Sequence, residues 1–199
     1  MPGTVIRHLI VITAAALLLH QAAPVAHGAE ELLNRANFGA SLAWNRSTPD
    51  GGSAEANSVS GRIHLGYFFL EWLEGGASLE LTGIESEHQK RRLEDTFVHG
   101  LGYMKAYLLG KWNLMPFVGA QTGFSRGDFD DGTQSWENSS FAWGGMGGMS
   151  AFFSENACMS VEYNYLRTNY DVWAGGPSDD FEHHRLYVGF SYFFSGTGL

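Results

Sequence analysis

The 199-residue chain carries one cysteine, Cys158, so it has no internal disulfide, and a formal net charge of −9 from 21 acids against 12 bases argues against nucleic acid as a partner. Charged residues make up 17%, low against about 25% for a typical soluble domain, while 26 glycines and 14% aromatics are high. That balance would suit a low-complexity chain, except that the aromatics recur at regular spacing, which implies a fold.

The first expected element is a leader. Arg7 supplies a positive start, residues 9–19 an apolar run, and Ala26-His27-Gly28 a small-x-small cleavage site, the pattern of a secretory signal peptide over residues 1–29. The run is too short for a membrane anchor, which needs about 20 apolar residues. No cysteine stands at the cleavage site to take a lipid. Cleavage removes Arg7 and no acid, taking the charge from −9 to −10. Residues 30–199 are long enough for a single domain.

Period-two alternation then marks strands in chain order. In NFGASLAWN, Phe38, Ala40, Leu42 and Trp44 oppose Gly39, Ser41, Ala43 and Asn45. In SVSGRIHLGYFF, Val59, Ile63, Leu65, Tyr67 and Phe69 oppose Ser60, Arg62, His64 and Gly66; in EGGASLELTGIE, Ala77, Leu79 and Leu81 oppose Ser78, Glu80 and Thr82. FVHGLGYMKAYLLG alternates if Lys105 shares a face with Tyr103 and Tyr107, and PFVGAQTGF sets Val118, Ala120, Thr122 and Phe124 against Gly119, Gln121 and Gly123. SFAWGGMGGMSAFF has no decisive polar face. MSVEYNYL separates Met159, Val161, Tyr163 and Tyr165 from Ser160, Glu162 and Asn164, and RLYVGFSYFF separates Leu186, Val188, Phe190, Tyr192 and Phe194 from Gly189 and Ser191. Gly144 and Gly148 satisfy G-x-x-x-G, but the apolar span stops at Ser154-Glu155-Asn156 and resumes with strand period, so the glycines suit a curved barrel wall better than a packed helix.

Short connections (LEW, GKWNL, SENA) alternate with long polar ones (RSTPDGGSAEAN, SEHQKRRLED, SRGDFDDGTQSWENS, RTNYDVWAGGPSDDFEH). Strict alternation predicts an all-β fold, an eight-stranded antiparallel up-and-down barrel with its short turns at one end. Segments of about ten residues are long enough to cross a bilayer at a tilt. The bulky faces would overfill an eight-stranded interior, so they are expected to meet lipid, with small and polar residues inside. Trp44, Trp72, Trp112, Tyr165 and Phe194 near strand ends suit interfacial belts. An exported soluble barrel that binds a ligand inside is the competing reading.

Three stretches, PFVGAQTG at 116–123, GGMGGMSAFFSENACMSVEYNY at 144–165 and LYVGFSYFF at 186–194, resemble the small OmpA-type, or "porin family", outer-membrane barrels, and the resemblance extends over residues 30–199. It implies a place in the outer membrane of a Gram-negative bacterium, contact with membrane lipids and lipopolysaccharide, delivery by the barrel-assembly machinery, and both ends of the barrel domain on the periplasmic side. It spans several roles: structural barrels, adhesins, complement-binding surface proteins and narrow solute pathways. Members commonly close on an aromatic residue, whereas Phe194 here is followed by SGTGL.

The ionisable inward set is Arg62, Glu80, Lys105 and Glu162. Enclosed charges must pair, which predicts a lumen network of Arg62 and Lys105 with Glu80 and Glu162, either a static polar core or a gate for small ions. His183-His184 is a poor chelate, because adjacent strand residues face opposite ways. Asp128, Asp130 and Asp131 stand near a glycine placed too early for an EF-hand loop. Arg126-Gly127-Asp128 matches an integrin-read tripeptide, a match that short polar stretches make by chance. His64, His99, His183 and His184 are the histidines available to activate a serine in a lipid-modifying enzyme, but no nucleophile setting accompanies them. The expectation is therefore a non-enzymatic protein with no cofactor or metal, its role structural or interactive through the long extracellular connections.

Overall fold

The computed structural model describes residues 32–47, 56–88, 91–108, 114–130, 135–171 and 178–195. The expected leader, Trp112, Asp131 and the final GTGL of the tail lie outside them. Eight strands run in order: β1 (Arg35–Ser47), β2 (Ala56–Leu70), β3 (Leu73–His88), β4 (Arg91–Tyr107), β5 (Leu114–Asp130), β6 (Ser135–Ser154), β7 (Ala157–Asp171) and β8 (Ser178–Ser195). Each pairs antiparallel with the next, and β1 pairs with β8 to close the barrel. Closure leaves no edge strand among the described residues, so the wall satisfies its own backbone, as an apolar solvent requires.

The faces are inverted relative to a soluble barrel. Leu42 is 69% exposed and Phe124 74% exposed, and Trp44, Leu65, Leu81, Val118 and Phe190 also point outward. Inside lie Asn37, Ser41, Arg62, Glu80, Thr82, Gln121, Ser125, Glu162 and Asn164. The open assignment in β6 is settled by its neighbours: Ser140, Ala142, Met146, Ser150 and Phe152 face inward, while Phe141, Trp143 and Met149 face outward. Gly144 and Gly148 are explained by the wall of β7. A Cβ on Gly144 would run into the backbone of Tyr165 and Leu166, and one on Gly148 into the backbone of Val161 and Glu162.

The strands are longer than the ten residues expected, from 13 in β1 to 20 in β6. β3 stops at His88 and β4 begins at Arg91, so most of the polar SEHQKRRLED segment is strand rather than loop. The physical reason is that the hydrogen-bond ladder continues wherever two paired strands still supply donors and acceptors. Side-chain polarity fixes which part of a strand meets lipid, and it does not end the pairing.

At the short-turn end the lumen is filled. Phe68 packs against Tyr107 and Phe193 with ring centroids 5.4 and 6.1 Å apart, Phe152 against Phe193 at 5.3 Å, and Tyr107 against Phe117 at 5.4 Å. Leu32, Met115 and Cys158 complete this apolar plug. The tight turns beside it carry register shifts at Phe68/Leu70 and Phe152/Ser154. Arg35 donates through Nη1 to the Glu155 carbonyl (2.6 Å) and to Asn156 Oδ1 (3.2 Å), tying the start of β1 to the β6–β7 turn.

Candidate functional site: the lumen column and the outer rim

Above the apolar plug sits a buried carboxylate. β3 carries Glu74 on the same face as Glu80 and Thr82, and Tyr103 and Tyr107 on β4 each donate a hydroxyl hydrogen bond to it at 2.6 Å. Two charge-assisted bonds from neutral donors hold this carboxylate, which has no cation in direct contact among the described residues.

The next layer joins three of the residues singled out in the sequence. Glu162 on β7 accepts from Arg62 Nη1 of β2 at 2.6 Å and from Lys105 Nζ of β4 at 2.9 Å. Arg62 also donates to Ser41 Oγ and lies 4.3 Å above the centre of the Tyr187 ring. Lys105 lies over the Tyr103 and Phe117 rings, so its ammonium rests on the top of the plug. Asn164 links this layer to Gln121, which donates to Asn164 Oδ1 at 2.9 Å.

Glu80 is not part of that layer, and here the expected pairing is corrected. Arg62 and Glu80 are direct register partners across β2 and β3, yet Glu80 is held by Arg185 of β8. Arg62 reaches across the lumen to Glu162 instead, where the Tyr187 ring supports its guanidinium. Arg185 then neutralises the carboxylate left behind. Thr82 donates to Glu80 Oε1 at 3.4 Å, Ser60 and Thr82 share a hydrogen bond at 2.8 Å, and His99 Nε2 stands 3.7 Å from Glu80 Oε1. His99 Nδ1 meets Ser125 Oγ at 2.6 Å. Phe97 stacks on His99 and His183 meets both rings edge-on, forming the top of the column.

Among the described residues the buried lumen charges are therefore three cations, Arg62, Lys105 and Arg185, and three carboxylates, Glu74, Glu80 and Glu162. Glu74 and Arg185 escape the sequence reading although their signal is present, and His99 and His183, weighed there only as possible bases or ligands, join the lumen column instead. Glu74 falls in the even-numbered set of β3 with Glu80 and Thr82, and Arg185 in the odd-numbered set of β8 with Gly189 and Ser191. Both are the first residues of their alternating segments, EGGASLELTGIE and RLYVGFSYFF, ahead of the first residue assigned to a face.

The outer surface has its own polar cluster near the far ends of β7 and β8. Tyr163 OH is 2.6 Å from His184 Nδ1, Tyr165 OH donates to Glu182 Oε1 at 3.2 Å, and Asn45 Nδ2 donates to the His184 carbonyl at 3.2 Å. Arg167 and Glu182 are register partners. His183 and His184 point to opposite faces, one buried and one exposed, and among the described residues no three His, Cys, Asp or Glu side chains are grouped to hold a metal. Asp128 and the Arg126-Gly127-Asp128 tripeptide lie within β5, with Arg126 paired to Glu137, rather than on a loop. Among the described residues no helix is long and apolar enough to cross a membrane.

Comparison with solved structures returns small outer-membrane barrels. Neisserial surface protein A has a TM-score of 0.60 and 16% identity over 80% of this chain and 97% of its own. Outer membrane protein H of P. aeruginosa gives 0.51 and 21% over 80% and 99%, and Ail, the attachment invasion locus protein of Yersinia pestis, gives 0.50 and 15% over 81% and 99%. At such identities the likeness concerns the fold. No curated protein matches the chain by sequence. The sequence profile described as "Outer membrane protein beta-barrel domain" matches residues 12–194. That match spans most of the chain and agrees with the closed eight-stranded wall and its inverted faces, so the chain belongs to the outer membrane protein β-barrel family.

Proposed function

We propose that this outer-membrane barrel is a sealed, non-enzymatic scaffold that presents its polar end at the cell surface for interaction with a partner, rather than a pathway for solutes. The observation that carries this reading is the filled lumen: an apolar plug, then Glu74 under two tyrosines, then two ion-pair layers, then the Phe97, His99 and His183 cap. An eight-stranded interior has room for a packed column of side chains and little else. Two of the similar structures are named as a surface protein and an attachment invasion locus protein, which supports a surface role without identifying a partner.

Ser125, His99 and Glu80 form a serine–histidine–carboxylate chain, which supports an enzyme only in outline. All three are essentially inaccessible, at 2%, 0% and 0% exposure, and the wall strands around them commit their amides to the barrel ladder. A nucleophile needs an approach path and free donors for an oxyanion. A fluorophosphonate probe is therefore expected not to label the folded protein, and labelling that disappears in Ser125→Ala would establish hydrolase chemistry. The sealed-scaffold reading itself is tested in planar bilayers: wild-type protein and Glu80→Ala should both show no unit conductance above the lipid background. Conductance that rises in Glu80→Ala would replace the static core with an ion gate.

A further inference from the structure

We propose that an extended peptide strand bearing lysine or arginine adds to the flank of β6 in the cleft where β6 and β7 part, at the polar end of the barrel. This rests on the surface-partner reading above and names the kind of partner. β6 is paired with β5 from Ser135, opposite Asp130, to Ala151, opposite Leu114. With β7 it is paired only from Ala142, opposite Thr168, to the short-turn end. β7 itself continues to Asp171, and beyond Thr168 its partner among the described residues is β8. Residues 135–141 of β6 therefore run as strand with a described neighbour on the β5 side only. Along the outer face of β6, Trp143 and Phe141 give way to the exposed Ser139 and Glu137, so this flank stands clear of the apolar band.

The backbone groups on the cleft side follow from the ladder below. A Cβ on Gly144 would meet the Tyr165 carbonyl oxygen, and one on Gly148 the Val161 carbonyl oxygen. Those carbonyls point at β6 and stand opposite Gly145 and Met149, so odd-numbered β6 residues bond toward β7. By strand alternation Ser139 and Glu137 turn N–H and C=O into the cleft, while Asn138 and Ser140 turn theirs to β5. The cleft-side carbonyl of Phe141 accepts from the Ser140 hydroxyl at 3.0 Å. Native proteins blunt an exposed strand edge with lysine, proline or a bulge. SWENSSF contains neither residue, and the β5–β6 register passes through it without a shift. Charge then selects the occupant. Glu137 and Asp128 are exposed register partners, and Arg126 is bonded to Glu137, so the three carry a net negative charge. Like charges directly opposite are unfavourable, and a cation on an added strand beside Glu137 relieves them. Main-chain bonds to Ser139 and Glu137 hold the peptide, and its cations set the preference, as in β-strand addition generally.

The test uses the full barrel in detergent micelles and a labelled peptide of alternating lysine and valine, about eight residues long as strands commonly are, with fluorescence anisotropy as the readout. Two further peptides separate the contributions. One is N-methylated throughout, keeping the charge and losing every main-chain donor; the other has glutamate in place of lysine. The lysine peptide should bind about tenfold more tightly than either, the effect of losing a hydrogen bond or two. Ser139→Pro removes a cleft-side N–H and leaves the β5 ladder intact, so it should weaken binding by about tenfold. Ser139→Thr keeps that N–H and should bind as the wild type does. No binding of the lysine peptide, equal binding of its N-methylated form, or a Ser139→Pro barrel that binds normally overturns the site. Heat-modifiable gel mobility checks that each variant is a closed barrel, and if Ser139→Pro does not close, the peptide comparison on wild-type protein decides. Failure of peptide binding while antibody reaches the polar end on intact cells defeats the cleft alone, whereas a polar end out of reach defeats the surface reading alone.

Discussion

Glu162 is the residue on which the lumen depends most directly, because one carboxylate serves two cations from different strands. Glu162→Gln leaves Arg62 and Lys105 buried with no acid between them, and removing one member of a buried ionic group costs about 3–5 kcal/mol. Urea unfolding in detergent micelles, followed by tryptophan fluorescence, should show a loss of that order. Combining Glu162→Gln with Lys105→Met should recover part of it, since one of the uncompensated charges is then gone. Glu80 makes the complementary case. Its partner could not be read by counting alternation on β2 and β3, because the register neighbour Arg62 is the wrong cation; the choice is made by side-chain reach across the lumen to Glu162 and by the Tyr187 ring beneath the guanidinium.

Among the strands, β6 shows how local sequence and neighbouring structure divide the work. Its glycines break the alternation that identifies the other strands, and only the approach of β7 reveals why they are there. Gly144→Ala and Gly148→Ala should each lower stability by about 1–3 kcal/mol, the range for overpacking a close contact, because the atom met is strand backbone and cannot rotate away. Gly83→Ala and Gly100→Ala are the matched controls, since nothing lies within 4 Å of a Cβ at either position. Comparable losses at all four would show that the close approach of β7 is not the cause, since at an open position the added methyl restricts the unfolded chain and should, if anything, stabilise. The long strands carry a second lesson. The polar segments were legible as the parts outside the bilayer, but their continuation as strand follows from pairing with a partner strand that is equally long.

For the barrel as a unit, inversion of the faces decides behaviour. Boiled and unboiled samples from the outer-membrane fraction should migrate differently on gels, because a closed wall resists detergent until it is heated; identical migration would contradict the closed barrel. With the polar end outward, an epitope placed between β1 and β2 should be reached by antibody on intact cells, while one at Glu155 in the β6–β7 turn should require the outer membrane to be opened. The reverse pattern would place the short turns at the surface and move any partner to the other end. The packed lumen also separates two kinds of variant: substitutions in the column should change stability, and substitutions on the outer rim should change binding.

Period two in side-chain size, the alternation of short and long connections, and the excess of bulky residues were enough to establish eight strands, their order and the inverted faces. These are local properties of the chain, repeated along it. The wall residues of the lumen network could be named for the same reason, as inward positions on identified strands. Which cation meets which carboxylate was decided only by closure, while the tyrosines around Glu74 and the role of the β6 glycines were decided by packing against the neighbouring strand. Closure brings β2 opposite β7 and β3 near β8, with separations of a hundred residues or so in sequence for Arg62 with Glu162 and Glu80 with Arg185. Pairing at such separations is set by barrel geometry, for which no short stretch of sequence carries the instruction.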